Sequence, residues 1–270
     1  MKNILKRVYR IIIAKIFIIF YGKVLLLKKN INKISIKKIL KVDNFDVKKF
    51  NYKFFKIDNG RAFTNYVENV SILYQNYLIK EISFQQIDSK LNKNRNESLI
   101  TGTPKFQKKI NGKVLVLTQG ASGHDNYAHW LLDIIPKIKL VSSVYNLNKI
   151  DYFFFSKINH FQKESLKIMN LNPNKFIDAK KNRHIKADHL LAISHPYFFK
   201  KHFFYAQSRI PVWIIKFLRN FFLKKINKRQ KNFEKIYIDR SDAKTNHCKL
   251  INNDELISFL KERKFKILRL

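Results

Sequence analysis

From Val114 onward, short apolar runs alternate with stretches of helical spacing, and this alternation restricts the fold more than any other feature of the chain. Val114-Leu115-Val116-Leu117, Tyr152–Phe155, His189–Ile193, Lys235–Ile238 and Phe265–Leu268 read as strands. Tyr127–Ile135, Gln162–Met169, Val212–Leu223 and Asp254–Arg263 read as helices. Strands separated by helices predict an α/β fold with parallel pairing, because a crossover helix returns the chain to the same end of the sheet. Asn172-Pro173 stops one helix, and Pro196 follows a strand. Pro136 inside an apolar run predicts a kink or an end, since proline lacks the helical N–H. Asn111-Gly112 predicts a turn leading into the Val114 strand.

Residues 51–120 are strand-rich, with runs such as Val70–Tyr74 and Tyr77–Ile79 between polar turns. Residues 28–50 are Lys-rich and read as a solvated connector. Ile11–Leu27 is the most apolar stretch, but Lys15 and Lys23 interrupt it, leaving less than the roughly 18 uncharged residues of a spanning helix. The basic residues before it suit a signal peptide, yet Lys28-Lys29-Asn30 stands where a small-residue cleavage site belongs. An interfacial helix on anionic headgroups fits; a helix buried on the domain and a true anchor stay open. The expected division is 1–50 as a basic, apolar N-terminal segment, 51–230 as a β-rich and α/β domain, and 231–270 as the start of another domain.

The chain is 46% hydrophobic, enough for a core, and its one cysteine, Cys248, excludes a disulfide framework and Cys-based zinc modules. Lys and Arg number 55 against 19 acidic residues, a net charge of +36. Such a charge implies a polyanionic neighbour, or simply the Lys- and Asn-rich usage of A/T-rich codons. Zinc-finger spacing, an RNP-type aromatic motif and a concentrated basic helix are all missing from the sequence, so nucleic acid is not an expected partner.

Two stretches carry chemistry. The first is Gly123-His124-Asp125-Asn126-Tyr127-Ala128-His129-Trp130-Leu131-Leu132-Asp133, which follows a buried strand and opens a helix. His129 and Asp133, spaced i, i+4, share a helix face. A carboxylate beside an imidazole orients it and raises its basicity, as a general base needs. The same spacing also suits a buried histidine satisfied by its neighbour, and a metal reading of His124 and Asp125 lacks a third ligand at fixed spacing. The second stretch is Ile236-Tyr237-Ile238-Asp239-Arg240-Ser241-Asp242-Ala243-Lys244, where a strand delivers Arg240 and Lys244 to a loop. Both suit phosphate, unless the loop is only a basic surface. Asn252 or Asn253 would cap the helix that follows. No P-loop, Gly-x-Gly-x-x-Gly or Gly-x-Ser-x-Gly motif is present in the sequence.

In this order the two stretches resemble the pattern of glycosyltransferase family 61, the bacterial capsular-polysaccharide type. Its Asn-Tyr-x-His-Trp-Leu-x-Asp-x-x-Pro segment stands here as Asn126 to Pro136, with Lys137 where the family commonly has Arg. Its Tyr-Ile-x-Arg-x-x-Ala segment stands as Tyr237 to Ala243, and Asn-Glu-x-Glu-Leu as Asn252 to Leu256 with Asn253 replacing Glu. The resemblance runs over about residues 60–270. It implies a GT-B-like pair of Rossmann-like domains and inverting transfer from a nucleotide-sugar donor to a glycan or lipid-linked acceptor in surface polysaccharide synthesis. Asp133 would be the base with His129 within reach, or one would orient the other. Asn126, Tyr127, Trp130 and His124 would contact substrate, and Arg240, Lys244 and Asn252 the nucleotide. No cofactor and no obligatory metal are implied. With an anionic membrane surface as a partner, the expected place is cytoplasmic, peripheral to the inner face of the cell membrane. The chain reaches Leu270 before the family's later His-Gly-Ala-Gly-like turn, so the expectation is a C-terminal domain cut short: either a truncated product, inactive for that reason, or a chain that works without a complete donor site. The alternatives are a non-catalytic glycan- or membrane-binding relative and, on charge alone, a basic nucleic-acid-binding protein.

Overall fold

A computed structural model describes residues 2–28, 31–66, 69–87, 90–92, 95–118, 127–156, 158–197, 210–225, 235–239, 241 and 250–269. The chain forms two compact units, residues 1–224 and 225–270.

The first unit is mixed α/β. Helix α1 (Lys2–Tyr21) precedes β1 (Leu25–Leu26), β2 (Ile34–Ile39), the small hairpin β3 (Lys41–Val42) and β4 (Phe45–Asp46), β5 (Tyr52–Asp58), β6 (Gly60–Tyr66), β7 (Asn69–Tyr74), β8 (Tyr77–Leu78), β9 (Phe84–Ile87) and β10 (Lys90–Asn92). The one-turn α2 (Ser98–Thr101) leads to β11 (Lys108–Val116). Then come α3 (Tyr127–His129), a π turn (Trp130–Ile134), α4 (Ile135–Ser142), β12 (Tyr152–Phe155), α5 (His160–Ile168), β13 (Phe176–Asp178), β14 (His184–Ile193) and α6 (Val212–Leu223). All strands except β3 and β4 join one mixed sheet, whose parallel part has the order β14-β11-β12-β13.

The parallel strands bury both faces, as crossover helices require. Leu115, Leu117, Phe153, Phe155, Leu191 and Ile193 face a core that includes α4, α5 and α6, while Val114, Val116, Phe154, Leu190 and Ala192 face a second core with Phe55 and Ile57. The period of two in each run is the side-chain alternation of a strand.

On the other edge of β14, β5 and β6 lie in one register: Asp58 pairs with His189 and Arg61 with Lys186. Asn59, at φ 54°, breaks the strand between them. A Cβ on Gly60 would lie 2.5 Å from Leu190 Cβ, so only glycine fits this approach. Beyond the break the two halves part, β5 pairing onward with β2 and β6 with β7.

Three sequence expectations change. The 28–50 connector holds β2, paired with β5, and buries Ile39, Val42 and Val47; its lysines take the solvent positions of an edge strand. Asn111-Gly112 is not a turn ahead of the strand but an irregularity inside β11, with Gly112 at φ 107°. Pro136 neither ends nor breaks its helix. It falls in the first turn of α4, directly after the π turn, where its missing N–H is tolerated.

In the second unit β15 (Ile236–Asp239) pairs in parallel with β16 (Lys266–Arg269), with α7 (Asn253–Glu262) between them in sequence.

Candidate active site

The parallel strand order turns at β11. The chain steps outward through β12 to β13 and then returns to β14 on the opposite side of β11. Open α/β sheets bind ligands outside the strand C-termini at such a reversal. There β11 runs into buried Leu117 and Thr118, and β14 runs into buried His195 and Tyr197.

The helix beginning at Tyr127 brings His129, Asp133 and Lys137 to this end of the sheet. Asp133 is fully buried, as are Lys137 and, to 2%, His195. His129 Nδ1 donates to Asp133 Oδ2 at 2.9 Å, and its side chain keeps 16% of its surface exposed. Tyr197 Oη donates to Asp133 Oδ1. His195 Nε2 lies 3.9 Å from Asp133 Oδ2, and its Nδ1 donates to the Tyr197 carbonyl at 2.6 Å. Lys137 Nζ donates to the Leu117 carbonyl at 3.2 Å.

Burial opposes ionisation of the Asp133 carboxyl, but the hydrogen bond from His129, the charges of the two histidines and the hydrogen bond from Tyr197 outweigh it and hold the group below its usual range. Burial pushes Lys137 down to about 7 against the pull of Asp133. It pushes His195 down to about 4, again against Asp133. Burial and the Asp133 charge together raise the Tyr197 hydroxyl. The centre is thus a buried carboxylate ringed by two histidines, a lysine and a tyrosine hydroxyl that burial keeps protonated.

Its surroundings are fixed. Trp213 Nε1 donates to Tyr52 Oη at 3.2 Å, and Tyr52 Oη donates to the Pro196 carbonyl, which pins the turn carrying His195 and Tyr197. Phe84 packs edge-on against His195 at 6.1 Å. Trp130 is fully buried and donates to Ser165 Oγ at 2.8 Å, so it anchors the helix to α5. Beside this helix a groove of about 470 Å³ is lined by Tyr127, Trp130, Phe161, Glu164, Arg219 and Phe222.

Of the residues expected from sequence, His129 and Asp133 meet, Tyr127 is half exposed in the groove, and Trp130 is an internal anchor. His124, Asn126, Arg240 and Lys244 lie outside the described residues. Asn252 occupies the N-cap of α7 and accepts the Leu256 N–H at 3.1 Å through its carbonyl, with no hydrogen bond from its side chain to the helix. Next to Arg240 in sequence, Asp239 accepts from Ser241 N at 2.9 Å, Ser241 Oγ at 2.8 Å and Arg269 Nε at 2.9 Å. The Ser241 N–H, Arg269 and the Ser241 hydroxyl hold its carboxyl below the usual range.

Sequence reading missed His195 and Tyr197 as site residues, and gave Lys137 no role. The available signal was position: His195-Pro196-Tyr197 follows a buried strand at the end where α/β sheets bind ligands. Among the described residues no group of three or more His, Cys, Asp or Glu side chains is placed to hold a metal ion.

The family model described as Glycosyltransferase 61 matches residues 127–270, beginning on the helix that carries His129 and Asp133. No curated protein matches the chain. With more than half of its length matched, and with the matched segment opening on the buried carboxylate centre, the chain belongs to glycosyltransferase family 61.

Proposed function

We propose that the chain is an inverting sugar transferase in which His129 takes the proton of an acceptor hydroxyl and Asp133 holds His129 for that task. The observation behind this reading is the 2.9 Å bond between His129 Nδ1 and the ionised, buried Asp133. Donation from Nδ1 leaves the lone pair on Nε2. Asp133 is engaged by His129 and Tyr197, whereas His129 retains exposed surface; this favours His129 as the base and Asp133 as its orienting partner. The acceptor O–H gives its proton to Nε2, the oxygen attacks the anomeric carbon, and the bond to the nucleoside diphosphate breaks with its electron pair leaving on phosphate. The Asp133 charge stabilises the imidazolium that forms.

In this proposal residues 225–270 help hold a nucleotide-sugar in a GT-B-like arrangement, with Arg240 and Lys244 balancing the diphosphate charge. Those cations take the part a metal would play. The hydrogen bonds on Asp239 support this role by ordering the strand end beside Arg240. A glycan or lipid-linked acceptor of surface polysaccharide synthesis would lie along the Tyr127 groove, where aromatic rings suit sugar faces.

The test is nucleoside diphosphate release from a panel of nucleotide-sugars, with and without acceptor glycans. Asp133→Asn should lower turnover by about 10²–10⁴-fold, the range of a general-base contribution, with nucleotide affinity nearly unchanged. Unchanged turnover in that variant overturns the roles given to the pair. Nucleotide-sugar binding without release by the unaltered chain makes it a non-catalytic relative.

A further inference from the structure

Helix α1 is amphipathic in the wrong sense for a solvated helix. Its buried residues, Ala14 and Phe17, face the rest of the unit, and Tyr21 Oη accepts the Gln107 N–H at 3.0 Å. At about 100° per residue, Leu5, Val8, Ile12, Ile16 and Ile19 fall on the opposite side, along the whole helix. They are exposed, Leu5 at 67% and Ile19 at 83%. Lys6, Arg7 and Arg10 lie on the same side as Ala14 and Phe17, but beyond them along the helix, and are exposed.

A second apolar patch lies beside α1, on the side of Phe17. Ile100 on α2 is 81% exposed and Phe106 is 84% exposed. The Phe106 ring lies 5.1 Å from Phe17, and Gly102 sits so close to α1 that a Cβ there would lie 2.9 Å from Ile18 Cγ1. An exposed apolar stripe running the length of a helix marks a binding face. Among the described residues no helix is long and apolar enough to cross a membrane.

We infer that the exposed apolar stripe of α1 is a docking surface for an anionic lipid bilayer. Charge selects this occupant. No Asp or Glu precedes Asp43; Lys15 flanks the apolar stripe, and Lys6, Arg7 and Arg10 add positive charge to the same helix from its other side. A second copy would bring the same cations, on a chain of net charge +36, against them. An anionic bilayer accepts the apolar side chains below its headgroups and pairs the cations at headgroup level.

The full chain should float with vesicles of phosphatidylcholine and phosphatidylglycerol, and bind vesicles of phosphatidylcholine alone at least about tenfold more weakly. Ile12→Glu with Ile16→Glu should weaken binding about tenfold or more, since the apolar insertion is removed. Both positions are exposed, so thermal unfolding should stay unchanged. Equal binding to both vesicle types, or binding indifferent to these substitutions, overturns the inference. A dimer in light scattering that the double variant dissociates, with no vesicle binding, gives the face to a second copy instead.

Discussion

Strand β14 carries a buried histidine at each end, and the two ends are built on opposite terms. At its start, His184 stacks edge-on with Tyr21 and receives Arg61 Nε at 3.2 Å. The other Arg61 donors reach the Gln75 carbonyl, Asn76 Oδ1 and Thr103 Oγ1, each at 2.8 Å. All these acceptors are neutral. Past its finish, His195 shares a buried space with Asp133, Lys137 and Tyr197, and burial lowers both His195 and Lys137 toward a range in which they exchange protons. Neutral dipoles around a charge make a permanent pin, tying β6, the β7–β8 turn and the end of α1 to β14. Titratable groups around a charge let a proton be given and returned. The difference follows the sheet's polarity, with chemistry at strand C-termini and support at the other end.

Substitutions that strip one end at a time test the contrast most severely. His129→Asn, which keeps an N–H donor where Nδ1 sits, should cut turnover by about 10²–10⁴-fold with only a small change in melting temperature. Arg61→Met should reverse the pattern. It strands several buried acceptors and should cost about 3–4 kcal/mol of stability, with turnover per folded molecule unchanged. Denaturant titrations beside nucleoside diphosphate release would read both. A large activity loss in folded Arg61→Met would end the distinction.

The next effect is a pH dependence. Burial sets Lys137 at about 7 in the folded chain, against about 10.4 when unfolded. Between these values the unfolded state binds more protons, so stability rises with pH. The gain should be about 2–3 kcal/mol from pH 7 to pH 9. Lys137→Met should flatten this rise relative to the parent chain. On the acid side, His195 at about 4 and His184 at about 3 both sit below their unfolded value, so stability falls as pH drops from about 6.5 toward 4. The smallest effect belongs to Tyr197→Phe. It removes one hydrogen bond to the charged Asp133, worth about 1.5–2 kcal/mol, and should lower turnover only modestly.

Legibility in the sequence tracked distance along the chain. His129 and Asp133 were visible because four residues on a helix share a face. The runs at Val114, Tyr152 and His189, with the helix signals of Gln162–Met169 and Val212–Leu223 around them, gave the α/β class through local periodicity alone. His195 and Tyr197 join Asp133 from more than 60 positions away, and no spacing rule reaches that far. The Arg61 cluster draws on β6, the β7–β8 turn, the loop after α2 and β14, so it exists only once the sheet is assembled. The Lys-rich stretch at 28–50 misled because an edge strand needs few apolar residues, and Ile39, Val42 and Val47 supply them.

The interrupted strand at Asn59-Gly60 has a consequence for synthesis on the ribosome. The edge formed by β5 and β6 waits for β14: the contact between Asp58 and His189 spans 131 residues. At 5–20 residues per second, roughly ten seconds pass between emergence of the first partner and the second. During that interval Phe54, Phe55 and Ile57 stand on an unclosed edge, the kind of surface that pairs with neighbouring chains. Slowing translation between codons 60 and 190 should therefore raise the fraction lost to aggregates, and holdase chaperones should recover it.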